Sequence, residues 1–147
     1  MIVYFDSSAL IKGYIDEANT PDVVALLAAA EHIAVCRITW TECHAAFAHR
    51  LRHASVTEQA IATARADFAR NWPGLVVIEV SQSVVERGGD YADTFALRAY
   101  DAVQLAAAHE LALSVGEGVT FACFDRRLNK AAKVLGLIMP FVEDERI

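Results

Sequence analysis

Short apolar runs rich in β-branched residues alternate along this chain with longer segments of helical period. That alternation limits the fold to repeated strand–helix units, whose strands must pair in parallel with helices covering the sheet. Ile2 to Phe5, Ile33 to Ile38, Leu75 to Val80 and Val119 to Phe124 read as strands. A last short run, Leu137 to Val142, reads as an edge strand because Pro140 cannot donate to a ladder. The expected sheet has four or five parallel strands.

The intervening segments carry their own punctuation. A short helix is expected from Ser8 to Tyr14, and Thr20 with Pro21 opens another to about Ala30, Thr as N-cap and Pro at the first helical position. Thr39-Trp40-Thr41-Glu42 matches a capping box and starts a helix to about His53. Val56 to Trp72 is helical until Pro73-Gly74 ends it. Ser81 caps a stretch to about Arg98 that Gly88-Gly89 is expected to break or kink. Tyr100 to Ser114, apolar on nearly every side, reads as a buried central helix, and Asp125 starts a helix ending near Gly136.

At 147 residues and 55% hydrophobic content, the chain suits one well-buried core, so a single domain over residues 1–147 is expected. The longest apolar run, Val23 to Ala30, falls far short of the roughly 18 residues of a membrane span. Met1 is followed directly by a strand-like run without a basic region or cleavage site, so a cytoplasmic location is expected. Cys36, Cys43 and Cys123 have no CxxC spacing and read as buried reduced thiols. A net charge of -6 argues at first against a nucleic-acid partner. The acids themselves weaken that argument, because bound cations would invert the local field.

Asp6, Glu42, Asp101 and Asp125 each sit where a strand-like run gives way to a helix, or within the first helical turn after such a junction. In an open parallel sheet the carboxyl ends of the strands share one edge, so these four converge. Singly, Asp6, Asp101 and Asp125 could be N-caps and Glu42 the return half of a capping box. Jointly they point elsewhere, since nothing about capping requires an acid at every position. Four converging carboxylates make a site for a divalent cation.

At these residues the chain resembles the PIN-domain ribonucleases, most closely the toxin subunits of the VapBC toxin-antitoxin type. The resemblance rests on Val3 to Leu10, on Thr41-Glu42-Cys43, on Leu97 to Ala106 with its Leu-Arg-Ala-x-Asp-Ala run, and on Thr120 to Gly136. It implies a three-layer α/β/α sandwich and metal-dependent cleavage of single-stranded or loop RNA. It also implies roles for Asp6, Glu42, Asp101 and Asp125 around Mg²⁺ or Mn²⁺, a small antitoxin partner and a toxin homodimer. Ser8 matches the family's hydroxyl after the first Asp, where it would hold a metal water or cap the helix.

The residue types suit this chemistry. Mg²⁺ and Mn²⁺ prefer oxygen ligands and need only one or two carboxylates plus phosphate, so four acids leave room for a second ion. Asp6 and Asp101 are the firmest ligand candidates, Asp125 follows, and Glu42 would orient the water or hold the second ion. Without metal the carboxylates should raise one another's pKa values. Rival constellations lack parts: a phosphoaspartyl hydrolase needs an Asp where Ser8 stands, and no Gly-rich phosphate fingerprint follows the first strand. A PIN-fold module that binds RNA or protein without cleaving it is the alternative function.

Among the basic residues, Arg126 and Arg127 adjoin a tetrad acid and are the better RNA contacts. His49, Arg50, Arg52 and His53 read as cations at a helix C-terminus, with RNA contact as their second reading. The His49/His53 spacing could hold zinc but lacks a matching partner. Trp40 reads as core, with base stacking as its alternative. The homodimer surface is expected on the apolar helices between Pro21 and Trp72.

Overall fold

A computed structural model describes residues 1–141. Its sheet holds four parallel strands, β1 (Ile2–Phe5), β2 (His32–Cys36), β3 (Val76–Ile78) and β4 (Val119–Ala122), in the order β3-β2-β1-β4. The chain steps outward from β1 to β2 and β3, then returns to the other side of β1 for β4. The strand order therefore reverses at β1, and the crevice beyond its carboxyl end is where such folds bind ligands.

The expected fifth strand shrinks to one bridge. Ile138 pairs with Thr120, its N–H donates to the Val119 carbonyl and its own carbonyl accepts from Phe121. Pro140 lacks the N–H to continue that ladder. Val142, the end of the expected strand, lies outside the described residues.

Seven α-helices are described: α1 (Ser7–Leu10), α2 (Thr20–Ala29), α3 (Thr39–His53), α4 (Glu58–Asn71), α5 (Gln82–Phe95), α6 (Ala99–Val115) and α7 (Arg126–Val134). Alternation along the strands divides the core in two. Val3, Phe5 and Val35 pack against helices α1 to α4, while Tyr4, Ala34, Cys36 and Phe121 pack against α5 to α7. With cores on both faces, the layers are α/β/α, and β1 and β4 are buried almost throughout, as a doubly covered parallel sheet requires.

Three local expectations are corrected. Thr20 is the first helical residue and not the N-cap; Asn19 takes that position at φ 70°, and the Thr20 hydroxyl is used by the preceding loop, accepting from Glu17 N–H and donating to the Ile15 carbonyl. The capping box at Thr39 does not form, because Thr39 Oγ1 instead accepts from Cys36 N–H and Glu42 turns away from the helix end. Gly88-Gly89 does not interrupt α5. Gly88 is buried against α6, where an added Cβ would make ordinary contact at 3.6 Å with the Ala102 carbonyl and Val103 Cα. The break comes at Ala96, which adopts the left-handed conformation at φ 53°.

Candidate active site

The four acids reach one edge from four elements. Asp6 follows β1; its N–H donates to the Ala122 carbonyl of β4 at 3.1 Å, which seats it between the two strands where the order reverses. Its side chain is 5% exposed, and Ser8 Oγ donates to Asp6 Oδ2 at 2.6 Å. Glu42 stands in the first turn of α3, Asp101 in the first turn of α6, and Asp125 at the N-cap of α7 after β4.

Capping explains only one of them. Asp125 Oδ1 accepts the Leu128 N–H at 2.8 Å. Asp6 occupies an N-cap position without a side-chain capping bond, and Asp101 lies beyond the cap residue Arg98, whose Nε donates to Asp101 Oδ2 at 3.3 Å. Ser8 sits inside α1 and does not cap it. Glu42 Oε1 accepts from Ser7 Oγ at 3.1 Å and from Gln104 Nε2 at 2.6 Å.

Electrostatics ties the acids together. Burial, reinforced by the charges of Glu42 and Asp101, pushes Asp6 up to about 6 against the pull of the Ser8 hydroxyl. Glu42 is likewise raised, first by burial and then by the Asp101 charge, with the Gln104 and Ser7 hydrogen bonds opposing. Neighbouring acid charges therefore contribute at these two residues, second to burial. The buried Cys123 thiol is pushed well up by burial, then by the Asp6 charge, with Asp125 and Asp101 adding to it. The charges of three of the acids thus reach the thiol that follows β4.

A cavity of about 490 Å³ opens here, lined by Leu97, Arg98, Asp101, Asp125, Arg126 and Arg127. The carboxylates of Asp101 and Asp125 here, with Asp6 and Glu42 at the same sheet edge, supply the oxygen donors a divalent cation takes, while Arg98, Arg126 and Arg127 share the cavity lining. Among the described residues no three His, Cys, Asp or Glu side chains stand close enough to enclose an ion as they are, so ligation requires side-chain rotation.

Gln104, fully buried in α6, does not stand out in the sequence, where the helix reads simply as rich in Ala and Leu. A signal was there, because a Gln on a helix buried on every side must find polar partners. Elsewhere, Arg50 Nε is held by Glu17 Oε2 at 3.0 Å, with Lys12 on the same carboxylate at 3.3 Å. The His49 and His53 rings lie 4.6 Å apart, tilted by 46°, and no third metal ligand joins them among the described residues. Trp40 lies between its two readings, 36% exposed yet packed on Phe68, Trp72 and His44.

Comparison with known proteins agrees with this architecture. The PIN domain family model matches residues 3–134. Ribonuclease VapC45 of Mycobacterium tuberculosis is 34% identical over 136 residues, covering 92% of each chain. Among solved structures, PAE2754 from Pyrobaculum aerophilum superposes with a TM-score of 0.66 at 20% identity, over 95% of this chain and 83% of that one. A toxin-antitoxin complex from Klebsiella pneumoniae superposes with a TM-score of 0.58 at 19% identity, over 84% and 86%. With the family model spanning most of the chain and a relative at this identity over nearly all of it, the chain belongs to the PIN-domain family.

Proposed function

We propose that this chain is a divalent-metal-dependent endoribonuclease that cleaves single-stranded or loop RNA as the toxin of a toxin-antitoxin pair, acting as one domain over residues 1–147. The observation that carries this reading is Asp6, a buried carboxylate raised to about 6 beside the charges of Glu42 and Asp101, at the edge where the strand order reverses. Membership of the PIN family and the ribonuclease named at 34% identity support it.

In this reading Asp6, Asp101 and Asp125 hold Mg²⁺ or Mn²⁺, and Glu42 holds a second ion or orients the attacking water. When bound, such ions supply an activated water and neutralise charge at the leaving oxygen. The protein does the rest. Asp6 and Glu42 are acids that burial raises above their ordinary values, a setting that favours cation binding once they ionise. Arg126 and Arg127, lining the same cavity, hold the RNA backbone. Cleavage of mixed RNA with added Mg²⁺ or Mn²⁺ tests the proposal; no cleavage by the folded protein with either ion contradicts it.

The partner proposed is a small antitoxin that places a basic side chain in the acidic pocket. Arg98 on Asp101 already displays a guanidinium–carboxylate contact of the kind required. We also infer a homodimer through helices α2 to α4. Val23, Phe47, Ile61 and Phe68 there are core, but α2 is apolar on nearly every side and leaves Val24 about half exposed, with Leu51 of α3 open as well. A cytoplasmic location belongs to the same reading. No helix among the described residues is long and apolar enough to cross a membrane.

A further inference from the structure

Four elements of the fold meet at the side chain of Gln104. Its Oε1 accepts from the Tyr4 hydroxyl of β1, while its Nε2 lies 2.6 Å from Glu42 Oε1, 3.1 Å from Ser7 Oγ and 3.1 Å from Thr39 Oγ1. The amide has two N–H groups for these three acceptors. The shortest contact goes to the only one that is charged, and charge-assisted hydrogen bonds are roughly twice as strong as neutral ones. Tyr4 fixes which end points where: turned end for end, the carboxamide would set its oxygen against the Glu42 carboxylate. Ser7 Oγ donates to the same Glu42 oxygen, so both bonds end on Oε1 and leave Oε2 for a ligand.

We propose that Gln104 is the positioning residue for Glu42, its carboxamide aimed by Tyr4 so that the carboxylate arriving on α3 is fixed relative to Asp6 after β1 and Asp101 on α6. This rests on the nuclease reading for the role of Glu42 and adds a residue that reaches the site only through another side chain. The competing role is ordinary core satisfaction, in which the amide serves Tyr4 and Thr39 and the Glu42 contact is incidental. The two differ in where the loss appears. A residue acting through Glu42 matters only while Glu42 is present, whereas a core residue costs the same in either background.

The test is a double-mutant cycle. Gln104→Met, close in volume and without the amide, is made alone and with Glu42→Gln, and each protein is measured for RNA cleavage and, by calorimetry, for Mn²⁺ binding. Gln104→Met alone is expected to lower kcat and Mn²⁺ affinity roughly 10- to 100-fold, the usual effect of removing an outer partner of a metal ligand, with the KM for RNA nearly unchanged. Added to Glu42→Gln, it should lower neither further by more than about 2-fold. Equal losses in both backgrounds, or wild-type kcat and Mn²⁺ affinity in Gln104→Met, overturn the proposal. Should Gln104→Met fail to fold, Tyr4→Phe removes only the hydroxyl that orients the amide. It should show the same dependence on Glu42, and an equal loss in both backgrounds overturns the proposal again. A wild-type protein that binds Mn²⁺ without cleaving RNA sinks the nuclease reading but leaves the Mn²⁺ cycle to decide the part played by Gln104.

Discussion

Asp125 Oδ1 accepts the backbone N–H of Leu128 at 2.8 Å, so one carboxylate of the pocket also caps the helix that follows it. Charge and cap can be separated at this residue. Asp125→Asn keeps a good N-cap and removes the charge, and it should lose cleavage while melting close to wild type. Asp125→Ala removes both and should lose a further 0.5 to 2 kcal/mol, roughly, of stability. Thermal melts of the two variants beside a cleavage assay check this, and identical melting would show that the cap contributes nothing.

Asp6 should make the metal-free protein less stable as pH rises. Its folded pKa, about 6, lies above the ordinary aspartate value of 3.8, so the native state binds the proton more tightly than the unfolded chain. Its stabilising contribution is full below the unfolded pKa and is lost as pH climbs to the folded one, and the shift corresponds to about 3 kcal/mol at most. Asp6→Asn should therefore raise the melting temperature of the metal-free protein at pH 7.5, do so much less at pH 4, and abolish cleavage at any pH. A drop in melting temperature at pH 7.5 would mean that the carboxylate is compensated after all.

Metal binding should follow the same titration in reverse. Protons and cations compete for Asp6 and Glu42, so Mn²⁺ affinity should rise as pH increases from about 5 to 7 and then level off. Calorimetry across that range reads it, and a flat profile would place the ion away from the raised acids.

RNA binding should depend on Arg126 and Arg127 more than on Arg50 and Arg52. The first pair lines the cavity with Asp101 and Asp125, whereas Arg50 sits on Glu17 and does not line it. Replacing Arg126 and Arg127 by Ala should flatten the dependence of log K on log salt by roughly 0.7 for each phosphate no longer neutralised, and the Arg50/Arg52 double variant should leave the slope near wild type. Equal slopes for the two double variants would show that nearness to the acids is a poor guide.

The sheet and the four acids were legible because both depend on short-range pattern. Continuous apolar strands must be buried on both faces, and parallel topology then gathers strand ends that lie far apart in sequence. Local punctuation was less legible, because tertiary partners overrode it. Thr39 and Glu42 spell a capping box, yet Gln104 and Cys36 claim their oxygens, and Gln104 lies 62 residues beyond Glu42. Gly88-Gly89 spells a helix break, yet packing against Ala102 and Val103 holds the helix through it. Thr20 looks like an N-cap because the loop contacts that take its hydroxyl, to Ile15 and Glu17, form only once the chain has turned.

Two opposite substitutions should both stabilise the α5–α6 region. Gly89 lies in α5 with open space where a Cβ would go, so Gly89→Ala should add roughly 0.5 to 1 kcal/mol through helix preference. Ala96 holds a left-handed conformation at φ 53°, which costs an L-residue roughly 1 to 2 kcal/mol, so Ala96→Gly should recover part of that. Chemical denaturation reads both, and destabilisation by Ala96→Gly would show that the left-handed turn is not a source of strain.

Asp101→Asn in an RNA cleavage assay tests the central claim most directly. Asp101 lies beyond the cap position of α6, so the amide should leave the fold intact while removing a carboxylate proposed to hold the metal. Wild type should cleave mixed single-stranded RNA with Mg²⁺ or Mn²⁺ and stop when the ion is chelated, and folded Asp101→Asn should be inactive under every condition. Cleavage by the wild type that survives chelation, or wild-type cleavage by Asp101→Asn, would contradict the account.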